Sequence, residues 1–147
     1  MKIRELQEYL KDRLNEVEAL VQGGCKAFAE DTRTVYDESA QFISEGGVAI
    51  VVVTPDFTRS GDGVEDGGLP VEGDVLVRCV EKPPVASSEN SNTLRALDAA
   101  AIVAHELDGN VFQFKSIRQT AQRDADGNDV VTATATFGLA TTLTKEQ

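Results

Sequence analysis

A chain of 147 residues with 41% hydrophobic and 27% charged side chains has the size and balance of one soluble domain. Folding at this length buries roughly 68–70% of the unfolded chain's surface, so a core forms without disulfide staples. Fourteen Lys and Arg stand against 25 Asp and Glu, a formal net charge of −11, and such a surface repels phosphates. That balance excludes autonomous nucleic-acid binding and docking on anionic lipid. The opening 20 residues are charged and lack the apolar core of a secretion signal, and no run approaches the ~18 apolar residues that span a bilayer, so neither export nor membrane insertion is expected.

Taken in chain order, Ile3, Leu6, Leu10, Leu14, Val17 and Leu20/Val21 recur at three-and-four spacing, which predicts one amphipathic helix from Ile3 to Val21 ended by Gly23-Gly24. Cys25 to Glu30 reads as a brief edge strand. Asp31-Thr32-Arg33-Thr34 supplies capping oxygens for a second helix to about Glu45, whose buried side carries Tyr36, Ala40 and Ile43 flanked by Val35 and Phe42. Gly46-Gly47 stops it. The β-branched run Val48 to Val53 predicts a central strand covered on both faces. From about 56 to 72 the chain turns glycine-rich and acidic and reads as a mobile loop.

Strand character returns from Asp74 to Glu81, with Val75, Val77 and Cys79 on one face, Arg78 on the other, and Lys82-Pro83-Pro84 as the stop. A polar stretch from Ala86 to Asn92 leads into an alanine-rich helix from Thr93 to Leu107, with Gly109 beyond it. The chain closes with a hairpin, Val111 to Gln122 and Val130 to Leu139, turning at Asp124 to Asp129. In its last strand Val131, Ala133, Ala135, Phe137 and Leu139 alternate with Thr132, Thr134 and Thr136. These elements predict an α+β fold: a mostly antiparallel sheet of four to five strands with helices packed on one face, in one domain. Cys25 and Cys79 lack metal or redox spacing and read as small core residues.

Candidate chemistry is sparse. Asp124-x-Asp126-x-Asn128 starts like a calcium loop, but Asp129 stands where the turn glycine belongs and Ala135 where the bidentate Glu belongs, so a hairpin turn is the better reading. His105 is the sole histidine, with Glu106 beside it and Asp98 two turns back, yet no nucleophile elbow, paired-histidine or Cys/His motif accompanies it. The glycines at 61, 63, 67 and 68 sit among carboxylates without a phosphate-binding lysine, and Asp62, Glu65 and Asp66 lie in a solvated loop that tunes no pKa. No catalytic residue, cofactor or metal is expected. An enzyme or ligand domain would instead need an unrecognised cleft, with Glu81, Arg78 and His105 around it.

The order of these elements resembles the tail terminator, or tail-completion, proteins of long-tailed bacteriophages and prophages. The likeness rests on the opening Ile3, Leu6 and Leu10, the helix running into Glu45-Gly46-Gly47 and the valine strand, the strand ending at Glu81-Lys82-Pro83, the Asn-containing loop and alanine-rich helix from Asn90 to Leu107, and the closing hairpin. The family's Asn-Arg pair is split here into Asn92 and Arg95. The resemblance implies a structural protein of the virion tail, assembled in the bacterial cytoplasm. It implies a homo-oligomeric ring, as a rule a hexamer, that caps the tail tube protein, ends tail polymerisation and meets the head-tail connector; another tail or baseplate component shares that outline. Acidic side chains around the ring's lumen would let DNA pass without sticking. Ring closure needs two different patches on each subunit, for which the sheet edge offered by the terminal hairpin and the first helix are the expected sources. Partner contacts are expected at Phe57, Arg59, Asp62, Glu65, Asn90, Asn92 and Arg95.

Overall fold

A computed structural model describes residues 2–30, 33–61, 68–83 and 94–143. In chain order they form α1 (Ile3–Leu14), α2 (Glu18–Gln22), β1 (Cys25–Ala29), α3 (Arg33–Ser44), β2 (Val48–Val52), β3 (Asp56–Arg59), β4 (Leu69–Glu81), α4 (Ala96–Leu107), β5 (Gln113–Arg123) and β6 (Asp129–Leu143). The α+β class is as expected, but the sheet has six strands and is mixed. Its order is β1-β2-β4-β6-β5, with β3 pairing β4 beside the end of β2. The first pair, β1 and β2, is parallel, because the 12-residue α3 carries the chain back across the sheet between them. All the other pairs are antiparallel.

The helices do not share one face, which corrects the expected arrangement. Val48, Ile50 and Val52 point into a large core with Leu6, Leu10, Leu14 and Val103, so α1, α2 and α4 cover that side of the sheet. Between them Ala49 points the opposite way, into a small second cluster with Phe28, Val35 and Ile43, which is the seat of α3. Strand alternation thus sorts the valine run between two layers, and β2 is covered on both sides as its composition predicts. The buried stripe of α3 is Val35, Ser39 and Ile43 rather than the expected Tyr36, Ala40 and Ile43; Tyr36 is 60% exposed. Gly46, at φ +98°, takes the left-handed turn that lets the chain leave α3.

The single helix expected over Ile3–Val21 is two. Asn15 ends α1, and its side-chain Nδ2 donates to the Ala27 carbonyl at 3.1 Å while the Ala27 N–H donates to its Oδ1 at 2.8 Å. A side-chain amide thereby completes the ladder on the outer edge of β1 and closes that edge at its middle. The second surprise is the expected loop from 56 to 72. Its ends are strands, Asp56–Arg59 lying antiparallel to Val71–Asp74. Gly73 permits this, because a Cβ there would meet the Asp56 carbonyl oxygen. The middle of that stretch, with Asp62, Glu65 and Asp66, lies outside the described residues.

Candidate interaction surface

The sheet's other long edge is β5. It pairs with β6 on one side, packs on α4 below, and borders no described segment along its outer side. Ile117 is its single half-buried residue and the other ten are exposed. One outward group is engaged: the Phe114 N–H donates to Asp108 Oδ1 at 2.9 Å, at the bulge between Phe114 and Ser116. The strand QFKSIRQTAQR carries three cations and no carboxylate in a chain of net charge −11. Lys115 reaches across Gly138 to Asp74 Oδ1 at 2.7 Å, and Arg123 stands 3.4 Å from Asp129 Oδ1. Arg118, at the centre, has no ion-pair partner among the described residues.

A third edge is β3, whose outer side also borders no described segment. Asp56 sits across from Asp74 and Thr58 across from Glu72, so Asp56, Glu72 and Asp74 share the face of the sheet turned away from α1 and α4. The same alternation, followed from Arg78 through Thr134, puts Arg118 on that face at the opposite margin. Of the expected contact residues, Phe57 packs its half-buried ring on the main core and Arg59 donates from Nε to the Gly61 carbonyl at 3.0 Å. Asp62, Glu65, Asn90 and Asn92 fall outside the described residues. Arg95 is held to the body of the protein: its Nε donates to Glu81 Oε1 at 2.9 Å, although the side chain is 60% exposed. Sequence reading missed the basic edge, yet its signal was present as three cations without an acid between Gln113 and Arg123.

The cleft imagined around Glu81, Arg78 and His105 does not form. Glu81 is 6% exposed on the helix-covered face of β4, where its carboxylate takes the Arg95 guanidinium and the Ala96 N–H at the start of α4. Three positions earlier, Arg78 points to the other face. His105 is exposed in the last turn of α4, about 15 Å along the helix from Arg95. In the hairpin turn, Asp124 Oδ1 accepts the N–H groups of Asp126 and Asn128, and Lys82 stands 3.0 Å from Oδ2. Lys82 and those amides hold the Asp124 carboxyl below its ordinary value, so this carboxylate is occupied in shaping the turn. Among the described residues no group of His, Cys, Asp and Glu is placed to hold a metal ion. Both cysteines are free and buried, and burial followed by the nearby Glu81 pushes the Cys25 thiol up to about 11.

One polar knot ties the helices to the parallel strands. Gln7, 3% exposed on α1, donates from Nε2 to the carbonyls of Glu30 and Val52 where β1 and β2 end. The Glu30 carboxylate accepts the Thr54 N–H at 3.0 Å and the Tyr36 hydroxyl at 2.8 Å. Partial burial pushes its pKa up, but those hydrogen bonds and the charge of Arg78 outweigh that and leave it below the ordinary glutamate value. A depressed pKa contributes stability above the unfolded value, near 4.5, that is lost as pH falls through the folded one. Urea midpoints of wild type and Glu30→Gln are therefore expected to differ at pH 6 and to converge on acidification below the unfolded pKa; a gap that stays constant down to pH 2.5 would rule out the linkage.

No family model matches the chain, and no curated protein matches it either. No described helix is long and apolar enough to cross a membrane.

Proposed function

We propose that this protein is a ring-forming structural subunit of a phage-type tail, which caps the tail tube, ends its growth and presents a surface to the head-tail connector. The observation that carries the reading is the closing hairpin, in which β5 exposes ten of its eleven residues along a sheet margin. A long open margin of that kind is a template for pairing with another chain, and proteins that stay monomeric blunt it. The succession of elements supports the same reading: an opening helix, a helix passing through Gly46-Gly47 into β2, a strand stopped at Glu81, an alanine-rich helix and a hairpin. The role asks for no catalytic residue; it asks for two unlike surfaces on each subunit.

Native mass spectrometry over a wide concentration range tests the proposal. A closed ring, a hexamer by the resemblance, is the expected result, with larger open series absent. A strict monomer at every concentration would overturn it and shift weight to a small ligand-binding domain.

A further inference from the structure

Among the described residues the sheet has three outer margins, and they differ in chemistry. That of β1 is closed at Ala27 by the Asn15 amide. That of β5 borders no described segment, is 11 residues long and is purely cationic in its charges. That of β3 is short and carries Asp56 and Arg59; on the face turned away from α1 and α4 it presents Asp56 beside Glu72 and Asp74 of β4, Asp74 being already paired with Lys115, while Arg59 lies on the other face. Two copies meeting β5 to β5 would bring Arg118 and its neighbouring cations against themselves, and directly opposed like charges destabilise a strand pair. Arg118 at one margin and Asp56 with Glu72 at the other lie on the same face of the sheet and are complementary instead.

We infer that the basic edge β5 of one copy pairs with the edge β3 of a second copy, on the face where β3 and β4 set Asp56 and Glu72, so that subunits join head to tail through a continuous sheet. The inference rests on the ring reading above and names its contact. Strand addition satisfies the outward backbone groups of both margins, which no side-chain docking would do. It also extends one face from copy to copy. Arg118 lies on the face that carries Asp56 and Glu72, so the added strand sets carboxylates beside a guanidinium that has no ion-pair partner among the described residues. Because the joined patches are different, the contact is heterologous, and repetition closes a ring or runs on as a filament. Gly73 has a part in this, since a side chain there would collide with the Asp56 backbone and push β3 away from β4.

The test places the photo-crosslinking residue p-benzoylphenylalanine at Thr120, which is exposed on β5, in the full chain, and maps the cross-linked peptides after irradiation. Adducts to residues 56–59 or 69–74 of another copy are expected. A ring whose adducts fall on α1 or on β5 of the next copy overturns this pairing and leaves the ring reading standing; a monomer at every concentration overturns both. In parallel, Arg118→Glu is expected to weaken self-association by about tenfold or more with an unchanged far-ultraviolet circular dichroism spectrum, and wild-type association is expected to weaken with added salt. Rings of Arg118→Glu as stable as wild type would refute the electrostatic match.

Discussion

Alanine in place of Phe137 is expected to lower the unfolding free energy by about 3–5 kcal/mol in urea titrations. The ring is fully buried in the middle of β6, across from Val75 on β4, with Phe114 edge-on at 5.9 Å. It is also the largest side chain among those that are fully buried, in a stripe of β6 whose other members are Val131, Ala133, Ala135 and Leu139, with Val75 across from it. Small neighbours cannot swing in to fill the hole, so the cost includes both lost transfer energy and an uncollapsed cavity. For a domain of ordinary stability, about 5–15 kcal/mol, that is about a fifth of the total or more. Phe114→Ala serves as the comparison: its ring is 40% exposed at the sheet margin, and a loss of about 1 kcal/mol is expected. Equal losses for the two would show that Phe137 does not hold the centre of the core.

Glu81→Ala is expected to cost about 2–4 kcal/mol, more than Arg95→Ala, although the two side chains form one ion pair. The asymmetry comes from burial. Glu81 has its carboxylate inside the protein, where it accepts the first N–H of α4 as well as the Arg95 guanidinium. Its removal orphans that N–H and unpins the helix start. Arg95 is mostly solvated, and its loss leaves water to replace it. Glu81→Gln keeps an acceptor for the Ala96 N–H and is expected to fall between the two. Hydrogen exchange at Ala96 gives a local readout: faster exchange in Glu81→Ala, little change in Arg95→Ala. The reverse order would mean that Glu81 serves the charge pair and not the helix.

Much of the fold was legible because periodicity and composition act locally. The valine run of β2, the alternation of β6 and the alanines of α4 each state their own burial, and the structure places them accordingly. What was not legible depended on contacts between distant residues. Nothing near Asn15 says that its amide will pair with Ala27, so an apolar stripe that runs on through Val17 and Leu20 reads as unbroken helix. Gly73 reads as loop because the Asp56 backbone that crowds it is 17 positions away. The parallel pairing of β1 with β2 was within reach, since a helix between two short strands is the mark of a crossover unit. At the interaction surface the sheet edge of the terminal hairpin and the charges of β5 were visible in the sequence, but that β3 makes a further margin of the same sheet was not. Strand order is decided by which faces α1, α3 and α4 cover, and no single segment carries that information.

The register between β4 and β6 joins Leu69 to Leu143 and Glu81 to Val131, so the long strand that ties β5 to the rest of the sheet is the last one made. Until residues 129–143 leave the ribosome, β4 lacks its longest neighbour and α4 lacks most of the floor on which it lies. Pairings so remote along the chain are slow to form, because the intervening loop must close before any of the contacts repay it. The nascent chain therefore passes through a stage in which the valine face of β4 is bare, and that interval is when a chaperone holds most value for it. Any ring would assemble after this stage, since the cationic margin of β5 stays in place only once β6 has docked behind it.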